Sequence, residues 1–284
     1  MRAAGGIAPP ERNGNLRLGA VNILLTNDDG IASEGLMAAK RALAAVGDVA
    51  VIAPDDNRSA VGRGITIARP LHVAEVPLDD GDTGYATDGT PVDCVRFAAL
   101  GLVGAAPDLI VSGINYGLNL GDDITYSGTV AAAFEGILLG IHAIAVSQQS
   151  VHGETDFRAR EGYDFSAAAE LVAWLAAEAL RRGLPRGTIL NVNVPAPPTA
   201  GVELVRLGRR IYHDRLELEG SDDGRRRYRI YGQAPSYHDE PGTDFAAIAA
   251  GRAALTPIHL DLTSGGGIEE LRGWPFPGSD VARD

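Results

Sequence analysis

Residues 21–25 form a β-strand-like run that stops, after Thr26, at Asn27-Asp28-Asp29-Gly30. A run of β-formers ending at two adjacent carboxylates and a glycine describes a buried strand that closes in a turn. In open α/β sheets, ligands bind beyond the carboxyl ends of the strands. Two carboxylates crowded at such an edge repel each other unless a proton or a cation sits between them. A hard divalent metal with oxygen ligands satisfies the pair. A solvated turn satisfies the same four residues without a metal, because Asn, Asp and Gly are all good turn formers. At this point both readings stand.

The rest of the chain decides the architecture around that turn. Residues 35–46 are alanine-rich, with Leu36, Ala39, Leu43 and Val46 at helical spacing. A short strand over 49–53 closes at Pro54, and 65–68, 71–76 and 85–86 look like short strands of a meander. Pro91 opens a helix that runs to Leu102. Strands over 109–111, 141–146 and 188–194 alternate with helices over 127–139 and 165–180. Such alternation predicts a Rossmann-like, three-layer α/β/α fold on a mostly parallel sheet.

From about residue 202 the character changes. Polar, charged segments over 211–219 and 225–231 flank Ser221-Asp222-Asp223-Gly224, a hairpin turn signal. This C-terminal β-hairpin is expected to project from the body. Its edges are either paired with a second subunit or blunted by Arg225, Arg226 and Arg227. A helix over 246–254 and a strand over 257–262 follow. The expected division is a disordered tail (1–20), an α/β catalytic core (21–205), a hairpin and C-terminal oligomerisation segment (206–264) and a flexible end (265–284).

Composition removes several function classes. The net charge of −12 over 284 residues disfavours generic binding to nucleic-acid polymers or anionic membranes. Cys94 is the single cysteine, so an intrachain disulfide and a cysteine-ligated zinc are both excluded. Residues 1–20 hold no apolar stretch of the signal-peptide kind. No segment approaches the roughly 18 uninterrupted apolar residues of a membrane span. A cytoplasmic location is the expectation. The six histidines, His72, His142, His152, His213, His238 and His259, form no diagnostic pattern.

Three further loops follow predicted strands. They contain Asp55-Asp56-Asn57-Arg58-Ser59, Ser112-Gly113-Ile114-Asn115 with Asn119, and Tyr126-Ser127-Gly128-Thr129 at a helix start. A helix N-terminus of small residues exposes amides and a positive dipole end, suited to a phosphate, and is equally an ordinary N-cap. Together with Gly89-Thr90-Pro91-Val92-Asp93-Cys94 and Gly242-Thr243-Asp244-Phe245, these blocks occur in order. Over residues 21–263 the chain thereby resembles the SurE family of metal-dependent nucleoside-monophosphate phosphatases.

The resemblance implies one divalent cation per subunit, Mg²⁺ or Mn²⁺, held by Asp28, Asp29, Ser59 and Asn115. All four are oxygen donors, which suits a hard cation and not zinc. Asn119, Ser127, Gly128 and Thr129 are then expected to cradle the phosphate, and Asp28, Asp29 and Asn115 to be catalytic. Asp122 and Asp123 are expected to order the loop, because carboxylates aimed at a phosphate repel it. The reaction is expected to be hydrolysis of nucleoside 5'-monophosphates, with 3'-monophosphates left open, by a metal-activated water attacking phosphorus in line. A phospho-aspartate route stays open. The resemblance also implies a homodimer, often paired into a homotetramer, with the hairpin and a swapped C-terminal segment reaching a neighbour. Ala60 departs from the family, where glycine is frequent after the serine.

Other α/β chemistries fit less well. No Gly-x-Gly-x-x-Gly follows the first strand, as a nicotinamide enzyme requires. Ala53 stands where a zinc deacetylase places histidine, and Asp28 and Asp29 are adjacent where haloacid-dehalogenase phosphatases separate two aspartates by one residue. A non-catalytic, metal-dependent nucleotide sensor is the competing reading from another class.

Overall fold

The computed structural model describes residues 21–154, 161–197, 201–230, 235–274, 276 and 277. The expected N-terminal tail therefore lies outside the described residues. In chain order the elements are β1 (Asn22–Thr26), α1 (Glu34–Leu43), β2 (Asp48–Pro54), β3 (Val73–Pro77), β4 (Thr83–Thr87), α2 (Pro91–Ala99) and β5 (Leu109–Tyr116). A 3-10 turn (Gly121–Thr125) leads to α3 (Gly128–Leu139), β6 (His142–Gln148), α4 (Ser166–Arg182), β7 (Thr188–Val194) and β8 (Val202–Leu204). Then come β9 (Arg210–Ile211), β10 (Glu217–Asp222), β11 (Arg225–Arg229), β12 (Ser236–Tyr237), α5 (Asp244–Ala249), β13 (Ala253–His259) and α6 (Gly265–Leu271).

Nine strands form one sheet in the order β3-β4-β2-β1-β5-β6-β7-β13-β8. Pairing is parallel from β4 through β7, with β3 and β13 each antiparallel to the strand beside it in that run. Successive side chains of a strand point to opposite faces, and β1 obeys this. Ile23 and Leu25 join a core with Leu36, Ala39 and Leu43 of α1 and Val172 and Leu175 of α4. Leu24 between them joins Cys94, Val95 and Ala98 of α2 and Val130 and Ala133 of α3. The expected three layers are present. β1 lies between β2 and β5, so the chain winds outward from it in both directions. The carboxyl ends of those strands form the crevice where such sheets bind ligands.

Local signals explain where the helices start. Ser33 Oγ accepts from Leu36 N–H (3.3 Å) and caps α1. Thr90 and Asp93 make a reciprocal capping box with Pro91 at the first helical position of α2. Lys40, the chain's one lysine, lies on the core side of α1 and its ammonium binds Asp80 and Asp82. Burial pulls the Lys40 pKa down, but the hydrogen bonds and charges of Asp80 and Asp82 outweigh it, and the net shift is upward. The hydrogen bond from Lys40 lowers that of Asp80. The raised lysine contributes stability below its ordinary pKa and loses it only as pH rises through the folded value. The lowered aspartate contributes above its ordinary pKa and loses it only as pH falls through the folded value. Lys40→Met is thus expected to cost about 1 kcal/mol, equally at pH 5 and pH 9, in urea melts. A deficit that disappeared at either pH would contradict the pairing.

Several boundaries differ from expectation. Residues 65–68 form no strand: Ile65 and Ile67 are exposed, and the Thr66 N–H goes to the Asp93 carboxylate at 3.1 Å instead of a ladder. The alanines at 253 and 254, read as helix, open β13, because pairing of Ala254 with Asn193 of β7 and of Ala253 with Val202 of β8 overrides alanine's helical preference. β13 sits between β7 and β8, so the later part of residues 206–264 lies in the main sheet. The hairpin is shorter than expected. Ile211 pairs with Ser236 in a separate two-stranded ribbon, and the free arm is β10–β11. Its turn falls on Asp223 and Gly224, both at positive φ (45° and 77°), as a two-residue hairpin turn requires. Tyr231 lies outside the described residues. The end expected to be flexible begins with α6, which has no buried residue.

Candidate active site

Turn chemistry and ligand chemistry are divided within Asn27-Asp28-Asp29-Gly30. Asn27 makes the turn: its Nδ2 donates to Gly30 O (3.0 Å) and Ser33 Oγ (2.7 Å), and its Oδ1 accepts from Gly30 N–H (3.2 Å). The two aspartates are thereby released for other work.

Asp28 is 3% exposed, and its Oδ1 accepts a short hydrogen bond from the Thr129 hydroxyl. Burial raises its pKa; hydrogen bonds from the Thr129 side chain and from the Thr129 and Gly128 backbone oppose this only in part. The start of α3 presses directly against this carboxylate. A Cβ on Gly128 would lie 2.7 Å from Asp28 Cβ and 2.8 Å from its Oδ2, so no larger residue fits without displacing the aspartate. Asp29 is half-buried and turns aside, its Oδ2 accepting from Tyr116 N–H (3.1 Å) at the end of β5.

The loop after β2 is tied to the same edge. Arg58 N–H donates to Asp28 O (2.7 Å), Ser59 N–H donates to Asn57 Oδ1 (2.8 Å), and Gly62 N–H donates to Tyr126 O (3.0 Å). Arg63 reaches the buried Glu135 carboxylate of α3 at 3.3 Å. Ala60, the departure noted above, has φ 59°. Glycine adopts that left-handed conformation without the steric cost a side chain brings.

At the end of β5 the register against β6 shifts between Ser112 and Asn115. An irregularity of this kind re-aims the side chains that follow it. Only glycine suits position 113: φ is 125°, and a Cβ would come 2.2 Å from Val146 O. Asn115 Nδ2 donates to the carbonyls of Gly117 (2.8 Å) and Tyr116 (3.2 Å), which leaves Oδ1 as the end offered to a ligand. Asn119 is held from behind. Its N–H donates to Asn193 Oδ1 (2.8 Å), its Nδ2 to Ser147 Oγ (2.8 Å), and its carbonyl accepts from Asn191 (2.9 Å) and Asn193 (3.0 Å). Ser127 caps α3, accepting from Val130 N–H at 3.1 Å.

Asp28, Ser59, Asn115, Asn119 and Ser127 converge on one space of about 20 Å³. Of the eight expected site residues these five line it. Asp29 is directed to the β5 backbone, while Gly128 and Thr129 serve Asp28. The donor set is a buried carboxylate, a hydroxyl and a side-chain carbonyl, all hard oxygens, and it fits a divalent cation of the Mg²⁺ or Mn²⁺ kind. Among the described residues no three His, Cys, Asp or Glu side chains cluster to hold a metal, so the mixed set is the candidate.

Residues outside the expected set complete the site. Asn191 and Asn193, alternate positions of an otherwise apolar strand, are buried and support Asn119. Two amides on one face of a buried strand demand partners, and that pattern in 188–194 was the available signal. Asp122 and Asp123 order the loop, and Asp123 in addition lines the space. Asp122 Oδ2 accepts from Arg210 N–H (2.8 Å), Asp123 Oδ2 accepts from Arg210 Nε (2.8 Å), and Asp123 Oδ1 accepts from the Tyr212 hydroxyl (2.9 Å). The fully buried Asp244 accepts from the N–H groups of Gly121 and Gly208, each at 2.8 Å.

Fold and site together define an α/β enzyme with an oxygen-lined centre at the carboxyl ends of its strands. The family profile described as Survival protein SurE matches residues 23–214. The chain belongs to this family. It is 52% identical over 258 residues to a Rubrobacter xylanophilus protein named 5'-nucleotidase SurE, covering 89% of this chain and 97% of that protein. A Chloroflexus aggregans protein of the same name is 49% identical over 258 residues, covering 89% and 99%. The crystal structure of the SurE protein from Aquifex aeolicus superposes with a TM-score of 0.75 at 38% identity, over 88% of this chain and 98% of that one.

Proposed function

We propose that this chain is a metal-dependent 5'-nucleotidase that hydrolyses nucleoside monophosphates to nucleoside and phosphate. The convergence of Asp28, Ser59, Asn115, Asn119 and Ser127 from separate strand-end loops carries the reading. Asp28, Ser59 and Asn115 are the residues that hold one divalent cation, Mg²⁺ or Mn²⁺, and Asp29 joins them only by turning from the Tyr116 amide. Once bound, such an ion withdraws charge from a phosphate oxygen and acidifies water. The protein's own part is orientation. Thr129 and Gly128 fix the Asp28 carboxylate, the asparagines of β7 fix Asn119, and the α3 N-terminus places a positive dipole end at the phosphate. Asn119 and Ser127 are the residues that face the phosphate directly.

Phosphate release from AMP is expected to stop after exhaustive treatment with EDTA and to return with Mg²⁺ or Mn²⁺. Full activity after chelation would sink the metal assignment, and metal binding without any turnover would favour the nucleotide sensor instead.

The homodimer or homotetramer belongs to the same proposal, as does a cytoplasmic location. No helix among the described residues is long and apolar enough to cross a membrane. Among the described residues the β10–β11 ribbon pairs with no other strand, and it and its flanks expose Leu216, Leu218, Tyr228 and Ile230. An isolated two-stranded hairpin is marginal in water, and a symmetric partner covers such surface. The segment from Leu262 through Phe276 exposes Leu262, Ile268 and Trp274 as well, and it is the part we assign to exchange between subunits. Replacing residues 217–229 by a short Gly-Ser linker spares Arg210 and Tyr212, and is expected to shift the mass toward smaller species in light scattering. A parent protein already monomeric at micromolar concentration would defeat this.

A further inference from the structure

The space between Asp28, Asn115 and Ser127 is about 20 Å³, enough for one small ion or water molecule and far too small for a nucleoside. If a phosphate ester meets an ion held there, as the nucleotidase reading on which this inference rests requires, it does so at the mouth of the space and its nucleoside lies against the rim. Two aromatic residues line the space. Tyr116 is turned inward: its ring meets Tyr163 and Phe165 edge-on at 5.0 and 5.2 Å, and its hydroxyl accepts from Glu34 N–H. Tyr126 is turned outward and is 56% exposed.

The Tyr126 backbone is fixed on both sides, its N–H donating to Asp123 O and its carbonyl accepting from Gly62 N–H, each at 3.0 Å. Tyr212, 43% exposed, approaches the same rim, with its hydroxyl on the Asp123 carboxylate. Val61, half exposed, belongs to the strap that Gly62 ties to Tyr126. An open aromatic face on a rigid backbone, with apolar neighbours, beside a polar slot for one ion, is the arrangement an aromatic base requires. Every base has a π-face, so stacking adds affinity without reading base identity.

We propose that Tyr126, flanked by Tyr212, is the platform on which the nucleobase of the substrate stacks. It acts in specificity: it separates nucleotides from sugar phosphates that carry no base.

The test compares kcat/KM for AMP with that for ribose 5-phosphate, which lacks the base. The parent enzyme prefers AMP. Tyr126→Ala lowers that preference about tenfold, chiefly through KM for AMP, and weakens inhibition by adenosine in parallel. Tyr126→Leu, which keeps apolar bulk without a π-face, behaves like alanine, whereas Tyr126→Phe and Tyr126→Trp keep the preference within about twofold. Because the ring is more than half exposed, its truncation opens no core cavity, and unchanged melting temperatures verify folding. An unaltered preference in Tyr126→Ala, or an equal loss on both substrates, overturns the proposal. So does a parent enzyme that hydrolyses both esters equally well. A parent enzyme inactive on both esters defeats the nucleotidase reading itself.

Discussion

Asp28→Asn is expected to lower kcat/KM for AMP at least a hundredfold, a loss of roughly 2.7 kcal/mol of transition-state stabilisation. The amide keeps the side-chain shape and can still accept the Thr129 hydroxyl, but it removes the negative charge that a divalent cation at this position requires. Metal affinity and water activation should both fall. Stability without metal should be unchanged or higher. The carboxylate is 3% exposed and its charged form is disfavoured by burial, so the neutral amide sheds a desolvation cost. Steady-state kinetics over a range of Mn²⁺ concentrations, paired with melting in EDTA, check both halves. Near-normal turnover in a folded variant would remove Asp28 from the ligand set.

The largest stability effect should come from Asp123→Ala. Arg210 and Asp123 form an ion pair whose side chains are 0% and 4% exposed. The guanidinium also lies 4.7 Å from the centre of the Phe245 ring, which stacks on Tyr237. Removing one partner of a buried pair leaves the other charge less well compensated, at a cost of about 3–5 kcal/mol. For a chain of this size that lowers the melting temperature on the order of 10 °C. Asp123→Ala with Arg210→Met removes both charges and should recover much of the loss, since apolar replacements of buried pairs are often tolerated. A single variant that melts within about 2 °C of the parent would show that the pair is hydrated in solution. The same substitution frees the Tyr212 hydroxyl, so a change in AMP preference is expected in both variants.

Much of the site was legible in the sequence because strand-end loops carry their own chemistry. Asn-Asp-Asp-Gly after an apolar run, Ser-Gly-Ile-Asn after another, and Ser-Gly-Thr before a helix each state a local geometry. The structure bears out the α/β layering for the same reason, since apolar runs of strand length alternating with helical spacing leave few ways to bury both. The two readings of the first turn do not compete, because Asn27 supplies the side-chain hydrogen bonds of the turn and neither carboxylate is spent on it. Less legible was the division of labour at the α3 start, where Gly128 and Thr129 serve Asp28 rather than the open space. Spacing places a residue at a helix N-terminus; it does not say which neighbour the amides meet.

The late segment shows the limit most clearly. Alanines 253 and 254 have helical propensity, yet they lie in a strand because β7 and β8 pair with it on either side. Nothing local in the chain marks Asp244 or Arg210 as a partner of the 3-10 turn beside the active site, yet both are buried and pin it. The sequence by itself determined the strand-end donors, the helix caps and the layer order, each set by contacts within a few residues of chain or by a repeating apolar pattern. Only the tertiary structure decided which donors share one small space, which face Asp28, and that a segment more than eighty residues away holds the loop between Asn119 and Ser127. Those outcomes depend on partners brought together by the fold, and the free energy of a buried charge or amide is set by the partner it meets.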